Sequence, residues 1–130
     1  MFFDLLLLTT LLTLSYQDVC HQYINSLWLI LPLLFGALFY RTPIWLLFSI
    51  YCLCLVINIL SGERFIGNGD LDVLATLSLY VTFQQFWFIC TIACACQLVF
   101  HLLTHKQMIA FIPAITMGYI VFLVQQIWIK

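Results

Sequence analysis

Charge is nearly absent from this chain. Of 130 residues 7% are charged, four Lys or Arg and five Asp or Glu, and the formal net charge is −1. A soluble domain carries about 25% charged residues, and so few charges cannot solvate a water-soluble fold of this length. That scarcity excludes a soluble enzyme, a disordered chain and a nucleic-acid binder, which needs a basic patch. No Lys or Arg precedes Arg41, so the apolar start lacks the positive n-region of a secretory signal. The stretch up to Cys20 also lacks the small residues that precede a lipidated cysteine. No internal repeat or low-complexity linker interrupts the chain.

What is present is apolar: 65% of the residues are hydrophobic and 17% aromatic. A membrane helix takes roughly 20 residues, which allows about six spans and no further soluble domain. The polar breaks are sharp. Gln17–Tyr23 ends the first run, Tyr40–Pro43 makes a turn, Ser61–Asp70 is the longest break, Gln84–Gln85 reads as a short loop, and Thr104–Gln107 is the last. The predicted spans cover 1–17, 24–40, 44–61, 70–84, 86–103 and 109–128. They must be helical, because lipid offers backbone N–H and C=O groups no partner. The expected fold is all-α, a single-domain polytopic membrane bundle of about six transmembrane helices, with residues 1–17 a retained first span. Trp28, Trp45, Trp87 and Trp128 fall near span ends, where aromatic belts sit.

Six cysteines are present, five of them inside apolar runs. Cys90, Cys94 and Cys96 crowd one helix, but Cys94 and Cys96 point about 200° apart. They read as small buried hydrophobes rather than metal ligands. His101 and His105 share a helix face, and no third ligand is apparent beside them. With His21 they read as interfacial histidines, and no metal or other cofactor is expected. Thr9, Thr10, Thr13 and Ser15 are expected to bond within or between helices. Pro113 and Gly118 are expected to kink or thin the last helix.

Counting crossings gives the first chemical indication. Asp18 closes the first span and Asp70 opens the fourth. Two crossings lie between them, so both aspartates belong to one membrane face, with Glu63, Arg64, Asp72, His21, His105 and Lys106. The positive-inside rule does not orient that face, because Arg64 and Lys106 on it are balanced by Arg41 and Lys130 on the other.

An ionisable group at membrane depth marks a functional site by default. The segment Gly67-Asn68-Gly69-Asp70 is expected to turn sharply, since glycine allows unusual backbone angles, and to set Asp70 in the first turn of a helix. There the dipole favours the carboxylate by about 0.3–1 kcal/mol. Asp18, at a helix C-terminus, is biased the other way. Two such groups can share one proton, as in aspartic proteases, and titrate as a unit. The charged member then takes a proton from an attacking water and the neutral member donates to the developing oxyanion. Helix capping alone also accounts for Asp70, but not for Asp18 at the end of its own helix. Asp72, two positions past Asp70, faces nearly the opposite side and reads as a solvated or pore-facing charge.

The run Gly67-Asn68-Gly69-Asp70 resembles the GxGD motif of intramembrane aspartic proteases. Within that group the chain resembles the prepilin peptidases, or type IV leader peptidases. Asp18 is followed by Ile24-Asn25, similar to the family's Asp, five residues, Ile-Pro-Asn, with the proline missing. Gly67-Asn68-Gly69-Asp70-Leu71 with Leu74-Ala75-Thr76-Leu77 resembles GxGDxKLLAALG, with Asp72 in place of the lysine. Phe111-Ile112-Pro113-Ala114-Ile115-Thr116-Met117-Gly118 resembles the late IPFxPFLxxG segment.

The resemblance implies a membrane aspartic endopeptidase with Asp18 and Asp70 catalytic, supported by Gly67, Asn68 and Gly69. Asp72 and Glu63 are candidate substrate contacts. It implies no cofactor, a prepilin or pseudopilin substrate with a short basic leader ending in glycine, and cleavage at the cytoplasmic face of the plasma membrane. The loop 61–69 would be the water route or lid. The CxxC-bearing cytosolic insert of larger members has no counterpart. The chain is similar instead to short competence-type forms, which implies peptidase without methyltransferase activity. The alternatives are a non-catalytic integral-membrane subunit and a protease of the signal-peptide-peptidase type. That type usually carries Tyr-Asp on its first catalytic helix, where this chain reads Tyr16-Gln17-Asp18.

Overall fold

A computed structural model of the chain describes residues 2–21, 25–39, 44–60, 67–104 and 110–129. Among these the fold is all-α. The helices are α1 (Phe2–His21), α2 (Ile30–Phe39), α3 (Ile44–Leu60), α4 (Asn68–Tyr80), α5 (Phe83–Thr104) and α6 (Ile112–Ile129). A short 3-10 helix, Ser26–Leu29, leads into α2. Each helix follows one of the six apolar runs, although α1 continues past its expected end at 17 through Gln17–His21.

The break before α5 lies earlier than expected. Val81, extended at φ −125° and ψ 153°, ends α4. Gln84 and Gln85 belong to the first turn of α5. The Thr82 backbone N–H donates to Gln85 Oε1 at 2.9 Å, and Phe86 N–H donates to the Thr82 carbonyl at 2.8 Å. Gln85 thus reaches back as the third-position partner of a capping box, so this polar pair starts a helix rather than forming a loop.

Helix α1 packs on α6 and α2, α6 on α5, and α4 on α2 and α3, with lighter contact between α4 and α1. The core joins Leu7, Leu11 and Leu14 of α1, spaced along one helix face, to Ile115 and Tyr119 of α6, Val73 and Leu77 of α4, and Ile89 and Ala93 of α5. Two glycines set the close approaches. Gly36 of α2 lies against Leu79 and Tyr80 of α4, and Gly118 of α6 lies against the backbone of Ile89 in α5. Gly118 therefore thins the last helix, as expected. α6 runs uninterrupted from Ile112 to Ile129, and Pro113 sits in its first turn, where a missing N–H costs nothing. Tyr80 completes the α2–α4 contact, its hydroxyl donating to the Pro32 carbonyl at 2.6 Å.

The hydroxyls of α1 behave as expected. Thr9, Thr10, Thr13 and Ser15 each donate to a carbonyl three or four residues earlier, and Ser15 Oγ also lies 2.6 Å from Thr116 Oγ1 of α6. The cysteines differ from expectation. Among the described residues none is buried, and Cys20, Cys54 and Cys94 are exposed. The outer helix surfaces are themselves apolar, so a small hydrophobe is as well placed outside as in.

That exterior is the second feature of the fold. Leu38, Leu60, Leu103 and Ile127 are each more than 70% exposed, as are Tyr16, Phe83 and Trp128 at 70% or above. Trp28 and Trp87 are also exposed near helix ends. Among the described residues one helix, Phe83–Leu103, is long and apolar enough to cross a membrane, while Ser26–Phe39, Tyr51–Leu60 and Ile112–Trp128 are shorter apolar helices. At 1.5 Å per residue the 13 residues of α4 rise about 20 Å, less than the roughly 30 Å of a hydrocarbon core.

Candidate functional site

Asp18 is the buried carboxylate of the chain's first helix, 8% exposed. It lies beyond the apolar stretch 1–17, one turn after Leu14 on the core-facing stripe. Its Oδ2 accepts a hydrogen bond from the backbone N–H of Ile112 at 3.3 Å. The Phe111 N–H acts on it as well. These are among the orphan donors that open α6. The carbonyl of Phe111 in turn accepts from Ala114 and Ile115 N–H at 3.1 and 3.2 Å. Asp18 therefore stands at the wrong end of its own helix but at the favourable end of another, where partial positive charge gathers. The expected bias of Asp18 by the α1 dipole alone is offset by α6. Burial pushes its carboxyl above the usual carboxylate value, against the downward pull of the Ile112 and Phe111 N–H groups.

Asp70 lies in the first turn of α4, as expected. Gly67 caps that helix without a side-chain bond, and its carbonyl accepts from Asp70 N–H at 3.1 Å and Leu71 N–H at 3.2 Å. Its role differs from the expected one. With φ −63° and ψ 142° its backbone is ordinary extended chain that any residue adopts. A Cβ there would instead lie 3.2 Å from Asp70 Oδ2. Glycine at 67 makes room for the carboxylate. Asn68 in the same turn accepts from Asn58 Nδ2 of α3 at 3.0 Å.

Asp18 and Asp70 come together. They are fifty-two positions apart in the sequence, yet the negative charge of Asp18 acts on the Asp70 carboxyl. The segment Phe111–Pro113 reaches the same place through the hydrogen bond from Ile112. All three motif segments singled out in the sequence thus meet at one end of the bundle.

Asp72 is not the solvated or pore-facing charge expected. It is half-buried, with Oδ2 accepting from Ser26 Oγ at 2.7 Å and Oδ1 accepting from the Tyr51 hydroxyl. Sequence reasoning missed both partners, and missed Asn58. Their signal was faint: Tyr51 and Asn58 are hydrogen-bonding groups seven residues apart in an otherwise apolar run, hence on one face of α3. Glu63, Arg64, most of the 61–69 loop, His105 and Lys106 lie outside the described residues. A groove of about 690 Å³ opens beside Asp18 on the neighbouring face of α1, between Gln17, His21, Asn25 and Trp28, and neither aspartate lines it. Among the described residues no group of three or more His, Cys, Asp or Glu side chains is arranged to hold a metal; His21 and His101 are both exposed.

Comparison of the chain with protein-family models, with curated proteins and with solved structures finds no match.

Proposed function

We propose that the chain is a multi-pass membrane aspartic endopeptidase of the prepilin-peptidase type. It removes the short basic leader of a pilin-like precursor at the cytoplasmic face of the plasma membrane. The observation that carries the reading is that Asp18 and Asp70, two carboxylates from separate helices, lie near enough for the charge of one to act on the other. The apolar exterior supports a lipid setting, since a soluble monomer rarely exposes so large an apolar surface.

In this reading the dyad holds one proton between two carboxylates. The ionised member takes a proton from water as the water oxygen bonds to the scissile carbonyl carbon. The protonated member gives its proton to the carbonyl oxygen. Collapse of the tetrahedral adduct breaks the C–N bond, and the leaving amine takes a proton back from the dyad. The residues involved are the chain's own, and the chemistry calls for no cofactor. Asp72 is less suited to holding a basic leader than it looked, because both of its oxygens already accept hydroxyl protons from the chain. Glu63 keeps that role as a candidate.

One observation favours a second reading. Asp18 accepts the opening N–H of α6, so it could serve as a tertiary cap in a non-catalytic membrane subunit. Co-expression with a tagged pseudopilin separates the two. The protease reading expects the leader to be lost on a gel with the parent chain and retained with stably produced Asp18→Ala and Asp70→Ala. Leader removal that persists in both variants defeats it and leaves the capping role.

A further inference from the structure

We propose that the turn Asn25–Ser26 is a strut that sets the spacing of Asp18 and Asp70, with Ser26, Asp72 and Tyr51 as positioning residues of the cleavage reaction. The inference rests on the dyad reading above and adds what holds the dyad in register.

The strut has two ends. At one, the Asn25 backbone N–H donates to Gln17 Oε1 at 3.4 Å, and Gln17 is the residue before Asp18 on α1. At the other, Ser26 Oγ donates to Asp72 Oδ2 at 2.7 Å, and Asp72 lies two residues after Asp70 in the opening of α4. Between these ends the turn is stiffened by its own cap: Asn25 Oδ1 accepts from Leu27 N–H at 3.1 Å, and Asn25 O accepts from Trp28 N–H at 3.2 Å. Two adjacent residues, the cap and the first residue of the 3-10 helix, therefore bridge the two carboxylate-bearing helices near the carboxylates.

Helix α3 supports the α4 end. Tyr51 donates its hydroxyl to the second oxygen of Asp72, and Asn58, two turns further along the same face, donates to Asn68. Asp72 is thereby held from two directions, by α3 and by the strut, while Thr76 Oγ1 bonds its carbonyl at 2.8 Å. A carboxylate in that position has one evident use. Two hydroxyl donors fix both of its oxygens. Direct contact between α1 and α4 is lighter than that of α1 with α6 and α2, so the strut adds a polar tie beside the apolar core that Leu7, Leu11 and Leu14 share with Val73 and Leu77. Proton sharing needs the carboxyl oxygens within hydrogen-bond reach, and a misplacement of about 1 Å costs on the order of a hundredfold in rate.

The test uses the full chain, purified in detergent, with a synthetic substrate carrying a short basic leader that ends in glycine ahead of an apolar helix. Ser26→Ala, Ser26→Thr, Tyr51→Phe, Asp72→Asn and Asp70→Asn are compared for kcat, KM and Tm. Ser26 is exposed, so Ser26→Ala tests the strut even where Asp72→Asn folds poorly. The expected result is a fall in kcat on the order of tenfold to a hundredfold for Ser26→Ala and Tyr51→Phe. KM should be unchanged, and Ser26→Thr should restore kcat by restoring the hydroxyl. An unchanged kcat in Ser26→Ala and Tyr51→Phe, or a loss confined to KM, overturns the strut while an inactive Asp70→Asn leaves the dyad standing. Full activity in Asp70→Asn overturns both.

Discussion

Gly118 of α6 and Ile89 of α5 are in backbone contact: a Cβ at Gly118 would lie 2.6 Å from the Ile89 carbonyl oxygen and 3.2 Å from its Cγ2. The nearest obstacle is main chain, which cannot turn aside as a side-chain tip can. A methyl group there must push the two helices apart, and overpacking of this kind typically costs about 1–3 kcal/mol. Gly118→Ala is therefore expected to lower the detergent Tm clearly. An unchanged Tm would mean that α5 and α6 are not packed this closely.

This contact also illustrates which features were legible in the sequence. The six helices were, because apolar runs between polar breaks leave little choice of secondary structure. The nearness of Asp18 to Asp70 agrees with the expectation that both belong to one end of the bundle, and the first-turn position of Asp70 with the reading of Gly-Asn-Gly as a helix start. Gln84 and Gln85 misled because polarity marks both loops and helix starts, and only the bond to Thr82 distinguishes them. The capping of α6 by Asp18 and the seating of Asp72 between Tyr51 and Ser26 were not legible. Each depends on which helix faces which, and helices that are apolar all round carry no sided pattern to say so.

Asp18 makes stability depend on pH. Burial raises its native carboxyl above the ordinary 3.8, so the folded chain holds this proton more firmly than the unfolded one does. Its contribution is most favourable below the unfolded value and is lost as pH rises through the native one. Asp18→Asn keeps an oxygen to accept from Ile112 and has no proton to lose. The variant's Tm relative to the parent should therefore rise as the pH climbs from about 4 through the raised native value. A difference that stays flat or falls across that window contradicts the burial of this carboxyl.

The hydroxyl pair Ser15 and Thr116 joins α1 to α6 at 2.6 Å, with Thr116 only 3% exposed. Each oxygen also lies within reach of its own helix, Ser15 Oγ 2.7 Å from Leu11 O and Thr116 Oγ1 2.9 Å from Ile112 O, so one hydroxyl donates across the pair while the other donates to its own helix. Losing one partner therefore leaves the other satisfied. Interhelical bonds of this type average about 0.6 kcal/mol in membrane proteins. A double-mutant cycle of Ser15→Ala and Thr116→Val should give a coupling of about that size. Zero coupling would show that the two hydroxyls serve only their own helices.

Gly67 offers the sharpest separation of site chemistry from folding. Its φ of −63° and ψ of 142° suit alanine as well as glycine, so Gly67→Ala carries no backbone strain and slightly restricts the unfolded chain. Its Cβ, however, would sit 3.2 Å from Asp70 Oδ2 and 3.8 Å from Cγ, and the carboxylate would have to give way by a few tenths of an ångström. In the proposed reaction the dyad works through short proton transfers, so that displacement falls on the reaction rather than on the fold. The expected outcome is a Tm within about 1 kcal/mol equivalent of the parent and cleavage slowed on the order of tenfold. A Tm measurement and a cleavage time course on the same preparation decide the matter. Unchanged cleavage would mean that Asp70 does not work from the position Gly67 leaves open to it. A large Tm loss would mean that this glycine serves the turn after all.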